Sequence, residues 1–368
     1  VQVGPSSTPI PVHFAVAGND DITVPQEGAA SFPLRDVFDV PDLETTNDDI
    51  VNGPHVTMAG DPQPLAPFTA QRVDYSLARL AHYTATDPEH FQNHVLFTNY
   101  QFYVSEFEAY ARRMLADPAS GYTSFVSTGN AEITDPLGEL PPSPKMPQMP
   151  TYHLKRPGSM GITLVNIGVG PSNAKTATDH IAVLRPHAWL MVGHCGGLRH
   201  SQSIGDYVLA HAYLREDHVL DAVLPPEIPV PALAEVQGAL QEAAARVTGE
   251  TGNALKRRLR TGTVVTTDDR NWELRFTASA RRFNKSRAIA IDMESATIAA
   301  NGYRLRVPYG VLLCVSDKPL HGEIKLPGAA NRFYERAIGE HIRIGIETLE
   351  MLAADKGAKL HSRKLRAF

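Results

Sequence analysis

The chain has 368 residues, enough for one large domain or two ordinary ones, with 43% hydrophobic and 20% charged residues. A formal charge of -5 and a pI near 6.3 argue against a nucleic-acid-binding surface, which needs excess Lys and Arg. No apolar run approaches the ~20 residues that span a bilayer and no signal-peptide pattern opens the chain, so no membrane partner is expected. The two cysteines, Cys195 and Cys314, lie in or beside apolar runs without metal-ligand spacing, which suits a reducing compartment, the cytoplasm. The chain begins at Val1 rather than Met, and its true N-terminus is expected to be missing.

Residues 1–67 hold 10 of the 28 prolines, so regular helix is not expected there, and short apolar stretches such as Val12 to Val16 suggest a few strands. Residues 71–83 read as a helix with Val73, Leu77 and Leu80 on one face. A strand over 94–98 and a helix around 104–115 follow. Seven prolines between Pro136 and Pro157 mark a linker or long loop. Residues 1–157 would then form an N-terminal, regulatory-type domain with its linker, and 158–368 the catalytic domain.

Beyond the linker, strand candidates 161–168, 188–193, 206–213, 261–267, 287–291 and 309–316 alternate with helices. One helix carries Leu233, Val236, Leu240 and Val247 on a single face; the last carries Ile338, Ile342, Ile346 and Leu349, with Gly357 placed to end it. The expected fold class is α/β, a mostly parallel central sheet flanked by helices.

Four segments carry candidate chemistry. Gly168-Val169-Gly170-Pro171-Ser172-Asn173 follows a strand and opens a helix, yet lacks the third glycine of a dinucleotide fingerprint and any Walker lysine. A ligand loop and a plain turn both fit it. Gly193-His194-Cys195-Gly196-Gly197-Leu198 ends another strand, where ligands of open α/β sheets bind, though a tight turn with an exposed His194 fits equally. In Asp292-Met293-Glu294-Ser295-Ala296 a strand delivers acids into a helix start. Asp292 fits a dipole-complementing role, whereas Glu294 could accept hydrogen bonds from two adjacent ribose hydroxyls. Ser316 and Asp317 end the near-continuous apolar run of Leu312 to Val315. An acid there needs a partner or a function, with a helix cap as the alternative.

Together the Gly-Val-Gly-Pro loop, Asp-Met-Glu-Ser-Ala and Val-Ser-Asp resemble the nucleoside phosphorylase and nucleosidase superfamily, and most of all its AMP nucleosidase family. Stretches at Phe97-Thr98-Asn99-Tyr100, 166–175, 199–221, 261–274 and 316–323 carry the closer resemblance, which covers about 70–368. Residues 1–67 look only loosely like that family's N-terminal domain.

The resemblance implies hydrolysis of AMP to adenine and ribose 5-phosphate. It makes Asp317 the acid that protonates purine N7, so that adenine departs neutral, a role suited to a carboxyl with a raised pKa. It maps a sugar-facing methionine and glutamate onto Met293 and Glu294. Asn271, Ser316, His194 and Gly196 join the substrate-binding set. Arg270 stands where relatives carry an aromatic residue, and could stack on adenine or turn to the 5′-phosphate; Trp272 could supply aromatic surface or belong to the core. Lys175 and Arg199 are phosphate-binding candidates by charge and position, with arginines of a neighbouring subunit as competitors. A homohexamer is implied, with MgATP as an allosteric activator and no cofactor or metal required for the chemistry.

Three departures matter. The 168–175 loop lacks the glutamate with which small nucleosidases help activate water, so the group that orients the water is open. Asn173 stands where bacterial purine phosphorylases usually carry a phosphate-binding arginine, and His194 where they carry a small hydroxyl residue. The last two favour water over phosphate. Phosphorolysis on the same fold is the runner-up, and a non-catalytic purine-binding protein the third alternative.

Overall fold

The computed structural model describes residues 73–141, 146–323, 329–354 and 360; the expectations for 1–67 and for Gly357 fall outside them. Ten strands form one mixed sheet: β1 (His94–Thr98), β2 (Ser124–Ser127), β3 (Ala131–Ile133), β4 (Thr151–Lys155), β5 (Ile162–Asn166), β6 (Ala188–Gly197), β7 (Tyr207–Glu216), β8 (Leu259–Thr267), β9 (Ala290–Asp292) and β10 (Tyr309–Asp317). Their order is β10-β7-β8-β9-β6-β1-β5-β4-β2-β3, and β10 also pairs with β6. The pairings β6-β10-β7-β8-β9-β6 therefore close into a ring, from which β1-β5-β4-β2-β3 extends as an open wing. Pairings are parallel at β1–β5, β1–β6, β6–β10, β7–β8 and β8–β9. They are antiparallel at β6–β9, at β7–β10 and through the far wing.

The sheet does not break at residue 157. Strands β1 to β4 all precede that point, and β1 lies between β5 and β6 in parallel register. The segment expected to be a linker contains β4, because Thr151 to Lys155 are free of proline and the prolines stand on either side. The expected turn at 193–198 is likewise mostly strand. β6 runs on through His194 and Cys195 beside β10, then turns to meet β9 at Gly196 and Gly197. A side chain on Gly197 would come within 2.9 Å of Val315, so the bend needs a glycine there.

Eight helices of the described residues cover the sheet: α1 (Val73–Thr84), α2 (Gln101–Leu115), α3 (Pro171–Ile181), α4 (Ala234–Thr248), α5 (Gly252–Arg258), α6 (Phe276–Ser286), α7 (Ser295–Leu305) and α8 (Ala329–Ala353). Helix α3 begins with proline at its first position, where a missing N–H costs nothing. Helix α2 buries Tyr103, Val104, Phe107 and Ala111, one stripe at helical spacing. Helix α8 lies over β1, β6 and β10 and against α2 and α4, burying Ile338, His341, Ile342, Ile346 and Leu349.

Close approach of α8 to the sheet depends on Gly345, where a Cβ would sit 2.9 Å from Val192 and 3.1 Å from Leu96. Gly345 lies one turn after His341, so its contact also sets the depth at which His341 enters the core. Gly345→Leu is expected to lower stability by about 1–3 kcal/mol through overpacking. Thermal unfolding of the purified variant checks this, and an unchanged Tm would show that α8 has slack at this contact.

Candidate active site

A cleft of about 280 Å³ opens at the carboxyl ends of β1, β5, β6, β8, β9 and β10. Ligands of α/β proteins bind at such strand ends, where loops and helix starts present polar groups. Its wall includes Asn99, Tyr100, Val169, His194, Arg270, Trp272, Met293, Glu294 and Asp317. Residues more than 200 positions apart in sequence thus meet in one place.

Glu294 anchors the floor. It is 1% exposed, and both carboxylate oxygens are held: Asn99 Nδ2 donates to Oε2 at 2.9 Å, and the Gly170 N–H donates to Oε1 at 2.6 Å. Gly170 reaches it with φ at 119°, a conformation that side chains rarely tolerate. The glycine loop is therefore fastened to the acid at the edge of the cleft. Asp292 has the different role expected of it. Thr266 Oγ1 donates to its Oδ1 at 2.6 Å and the Ser295 N–H to its Oδ2 at 2.9 Å, so Asp292 caps α7. The Thr266 hydroxyl also accepts from the Ala296 N–H at 2.9 Å. With α7 capped from behind, the Glu294 side chain is left to the cleft, beside the half-buried Met293.

Burial pushes the carboxyl of Glu294 well above its usual range, and the neighbouring Asp292 pushes it further; burial raises Asp292 as well.

Asp317 ends β10 beyond a register shift between Val315 and Asp317 in its pairing with β6. A bulge at a strand end re-aims a side chain, and here it brings Asp317 to the cleft. Ser316 lies behind it, 7% exposed, with its hydroxyl 2.7 Å from Asp317 Oδ1 and 3.2 Å from the Cys195 carbonyl oxygen. Expected to touch substrate, Ser316 is instead placed to orient Asp317.

His194 lines the cleft, with Gly196 nearby on the same strand. It is buried rather than exposed in a turn, because β6 continues through it. Its Nε2 lies 3.2 Å from the Tyr103 hydroxyl, which lies 2.6 Å from His341 Nδ1. The Tyr100 ring packs edge-on against His194 with centroids 5.4 Å apart.

The remaining candidates divide. Arg270 lines the cleft, and among the described residues it is the only Lys or Arg there. Trp272 borders the cleft and packs edge-on against Phe283 at 5.4 Å. Asn271 is exposed at the head of the Trp272–Arg275 turn, where its N–H bonds to Asp269, and it is not part of the cleft wall. Neither phosphate candidate lines the cleft. Lys175 pairs with Asp179 one turn along α3 at 2.6 Å, and the Arg199 guanidinium reaches the Phe283 carbonyl oxygen at 3.4 Å. Charge and sequence position placed them near the loops, but the helix face and the Asp179 partner decide where Lys175 points. Among the described residues, one group has ligand atoms close enough for a metal: Asp87, Glu89 and His90, none of them in the cleft wall.

Asn99, Tyr103 and His341 were not singled out from sequence. Asn99 had a usable signal, a polar residue directly after the carboxyl end of a buried strand. Tyr103 and His341 sit on apolar helix stripes and read as core.

The raised carboxyl of Glu294 has a consequence for stability. Below the ordinary glutamate pKa of 4.5, folded and unfolded chains both hold the proton. As pH rises from there through the raised folded value, the unfolded state releases the proton first, so this group's stability is lost. The stability of wild type relative to Glu294→Gln should therefore fall between pH 4.5 and 8, by about 1.4 kcal/mol per pH unit at most. Denaturant unfolding of both proteins across that range measures it, and a difference independent of pH would contradict the burial.

The family described as Phosphorylase superfamily matches residues 127–350, and the Bacterial AMP nucleoside phosphorylase N-terminus matches residues 1–62. The chain is 58% identical over 375 residues to AMP nucleosidase of Escherichia coli (strain K12), covering 100% of this chain and 76% of that protein. Its fold is similar to that of AMP nucleosidase from Bacteroides thetaiotaomicron VPI-5482, with a TM-score of 0.58 and 25% identity over 78% of this chain and 99% of that one. A purine nucleoside phosphorylase from Toxoplasma gondii shares the fold at a TM-score of 0.51 and 17% identity, over 74% of this chain and 98% of that one. The chain belongs to the AMP nucleosidase family, within the phosphorylase superfamily.

Proposed function

We infer that the chain is an N-glycosyl hydrolase that cleaves AMP to adenine and ribose 5-phosphate. The observation that carries this is the meeting of Asp317 and Glu294 in one cleft on a chain of this family. Glu294 grips the 2′- and 3′-hydroxyls of the ribose. As the glycosidic bond breaks, the sugar becomes oxocarbenium-like, and its positive charge favours the ionised form of Glu294 against the burial that opposes it, so the contact is stronger in the transition state. Asp317, oriented by Ser316, gives its proton to purine N7, and adenine leaves neutral. Met293 packs on the sugar, and Trp272 offers a flat surface to the base.

Water is the acceptor in this reading. The imidazole of His194 occupies cleft wall where a phosphorylase keeps a small hydroxyl, and Asn173 brings no cation to the loop. The 5′-phosphate needs positive charge, and in this reading Arg270 of the cleft wall contributes it, with further cations from a neighbouring subunit of a homohexamer. Supporting the assembly and an allosteric response to MgATP is membership of the family, including the match of residues 1–62 to its N-terminus. A cytoplasmic site of action suits a nucleotide substrate; among the described residues no helix is long and apolar enough to cross a membrane.

Asp317→Asn should reduce kcat for AMP by about 10²- to 10⁴-fold while the fold and AMP binding persist. Steady-state kinetics with adenine detection test it, and near-normal turnover would remove Asp317 from the acid role. The sugar contact has its own test. Wild type should use 2′-deoxy-AMP poorly, and Glu294→Gln should lose less activity with the deoxy substrate than with AMP. Equal losses on the two substrates would reduce Glu294 to a structural group at the start of α7.

A further inference from the structure

We propose that Asn301 is a positioning residue for Glu294: it locks α3 and α7 in axial register and so holds the Gly170 N–H on the Glu294 carboxyl. The proposal rests on the reading above in which Glu294 grips the ribose, and it places a control over that grip outside the cleft wall.

Helices α3 and α7 start from one hydrogen bond. Gly170 is the N-cap of α3, Glu294 is the N-cap of α7, and the Gly170 N–H donates to Glu294 Oε1 at 2.6 Å. The two helices then pack against each other. A second tie lies further along both. Asn301, fully buried on α7, donates through Nδ2 to Thr178 Oγ1 at 2.7 Å and to Asp179 Oδ1 at 2.9 Å, both on α3. At 1.5 Å per residue, this tie stands about 10 Å along α7 from Glu294 and about 12 Å along α3 from Gly170. The helices therefore run side by side in the same direction, joined at two comparable heights.

The amide of Asn301 has one orientation open to it. Arg304 donates to its Oδ1 from Nε at 3.1 Å and from Nη2 at 3.0 Å, whereas the Asp179 carboxylate can only accept. Thr178 sends its own hydrogen to the Ala174 carbonyl oxygen at 2.7 Å, so its oxygen accepts from Asn301. Both hydrogens and the oxygen of the amide are used. Arg304 Nη2 also reaches Asp179 Oδ1 at 2.8 Å, and Lys175 holds the other oxygen of Asp179.

Packing alone does not call for this residue. Around it α7 buries Ala296, Ile298, Ala299, Ala300 and Leu305, and alanine or leucine at 301 would have the higher helix propensity. A buried asparagine between packed helices gives up apolar burial and fixes register. Asp292 and Thr266 already fasten the start of α7 to the sheet, whereas α3 follows β5 through the glycine loop. The tie at Asn301 therefore acts on α3, and through it on Gly170. A shift of about 1 Å takes the Gly170 bond out of hydrogen-bond range. That bond is one of the donors offsetting the burial of the Glu294 carboxyl, so its loss leaves the acid harder to ionise as the sugar gains charge.

Kinetics on the intact protein test the assignment. Asn301→Ala strands no partner, because Arg304 keeps Asp179 and Thr178 keeps Ala174. It should lower kcat for AMP roughly fivefold with KM little changed, and should lose less with 2′-deoxy-AMP. Added to Glu294→Ala, which has no carboxyl to position, the same substitution should cost almost nothing further, since effects that pass through one group are not additive. Asn301→Leu keeps the site filled, and should show the same kinetic loss should the alanine variant unfold. Wild-type kinetics in either folded variant, equal losses on the two substrates, or a loss as large in the Glu294→Ala background would overturn the positioning role. Glu294→Gln alone, measured on both substrates, separates the two levels. Equal losses there bring down the sugar reading and the proposal with it; unequal losses there with additive losses in the double variant bring down the proposal alone.

Discussion

A carboxylate buried to within 1% of full occlusion is tolerable only where donors replace the water it gave up, and Glu294 has two of them. Much of the site's architecture serves that requirement. Asn99 has to stand directly after β1, which fixes β1 beside β6; Gly170 has to bend back in a conformation open to glycine, which fixes the loop after β5. Asp292 and Thr266 cap α7 from the far side and so relieve Glu294 of that duty. Three strand ends are thereby tied to one acid. In the proposed reaction a ribose entering the cleft finds an acceptor already oriented by Asn99 and Gly170.

The opposite wall works on β6 and β10. Their parallel pairing carries His194 and Asp317 to the same end of the sheet, and the register shift before Asp317 brings it to the cleft. Behind this wall, α2 and α8 contribute Tyr103 and His341, so the packing of two helices reaches the chemistry through a line of hydrogen bonds. Core packing and site geometry are one problem here. The depth of α8, set at Gly345, is felt at His341 one turn away.

What the sequence disclosed follows from which signals are local. The alternation of apolar strands and amphipathic helices was legible from residue 158 onwards because each element states its own period. Asp317, Glu294 and the glycine loop were legible because acids and glycines at apolar strand ends are anomalies that require an account. Two kinds of feature escaped. Pairing across the sheet is non-local, so β4 hid within a run of prolines and the first four strands were assigned to a separate domain. Orientation is also non-local: Lys175 had the right charge and place, yet Asp179 on its own helix holds it outside the cleft. Tyr103 and His341 are the extreme case, since a polar atom on an apolar stripe declares itself only when its partner is seen.

Chemistry at this site comes down to what attacks C1′ once adenine begins to leave. The direct measurement is the fate of the sugar when the protein turns over AMP in ¹⁸O-water containing abundant inorganic phosphate. Hydrolysis predicts free ribose 5-phosphate, with one ¹⁸O entering at C1 when allowance is made for exchange of the free aldehyde, and adenine released in equal amount. Ribose 1,5-bisphosphate in the same mixture would contradict it, and would mean that phosphate enters the cleft beside His194.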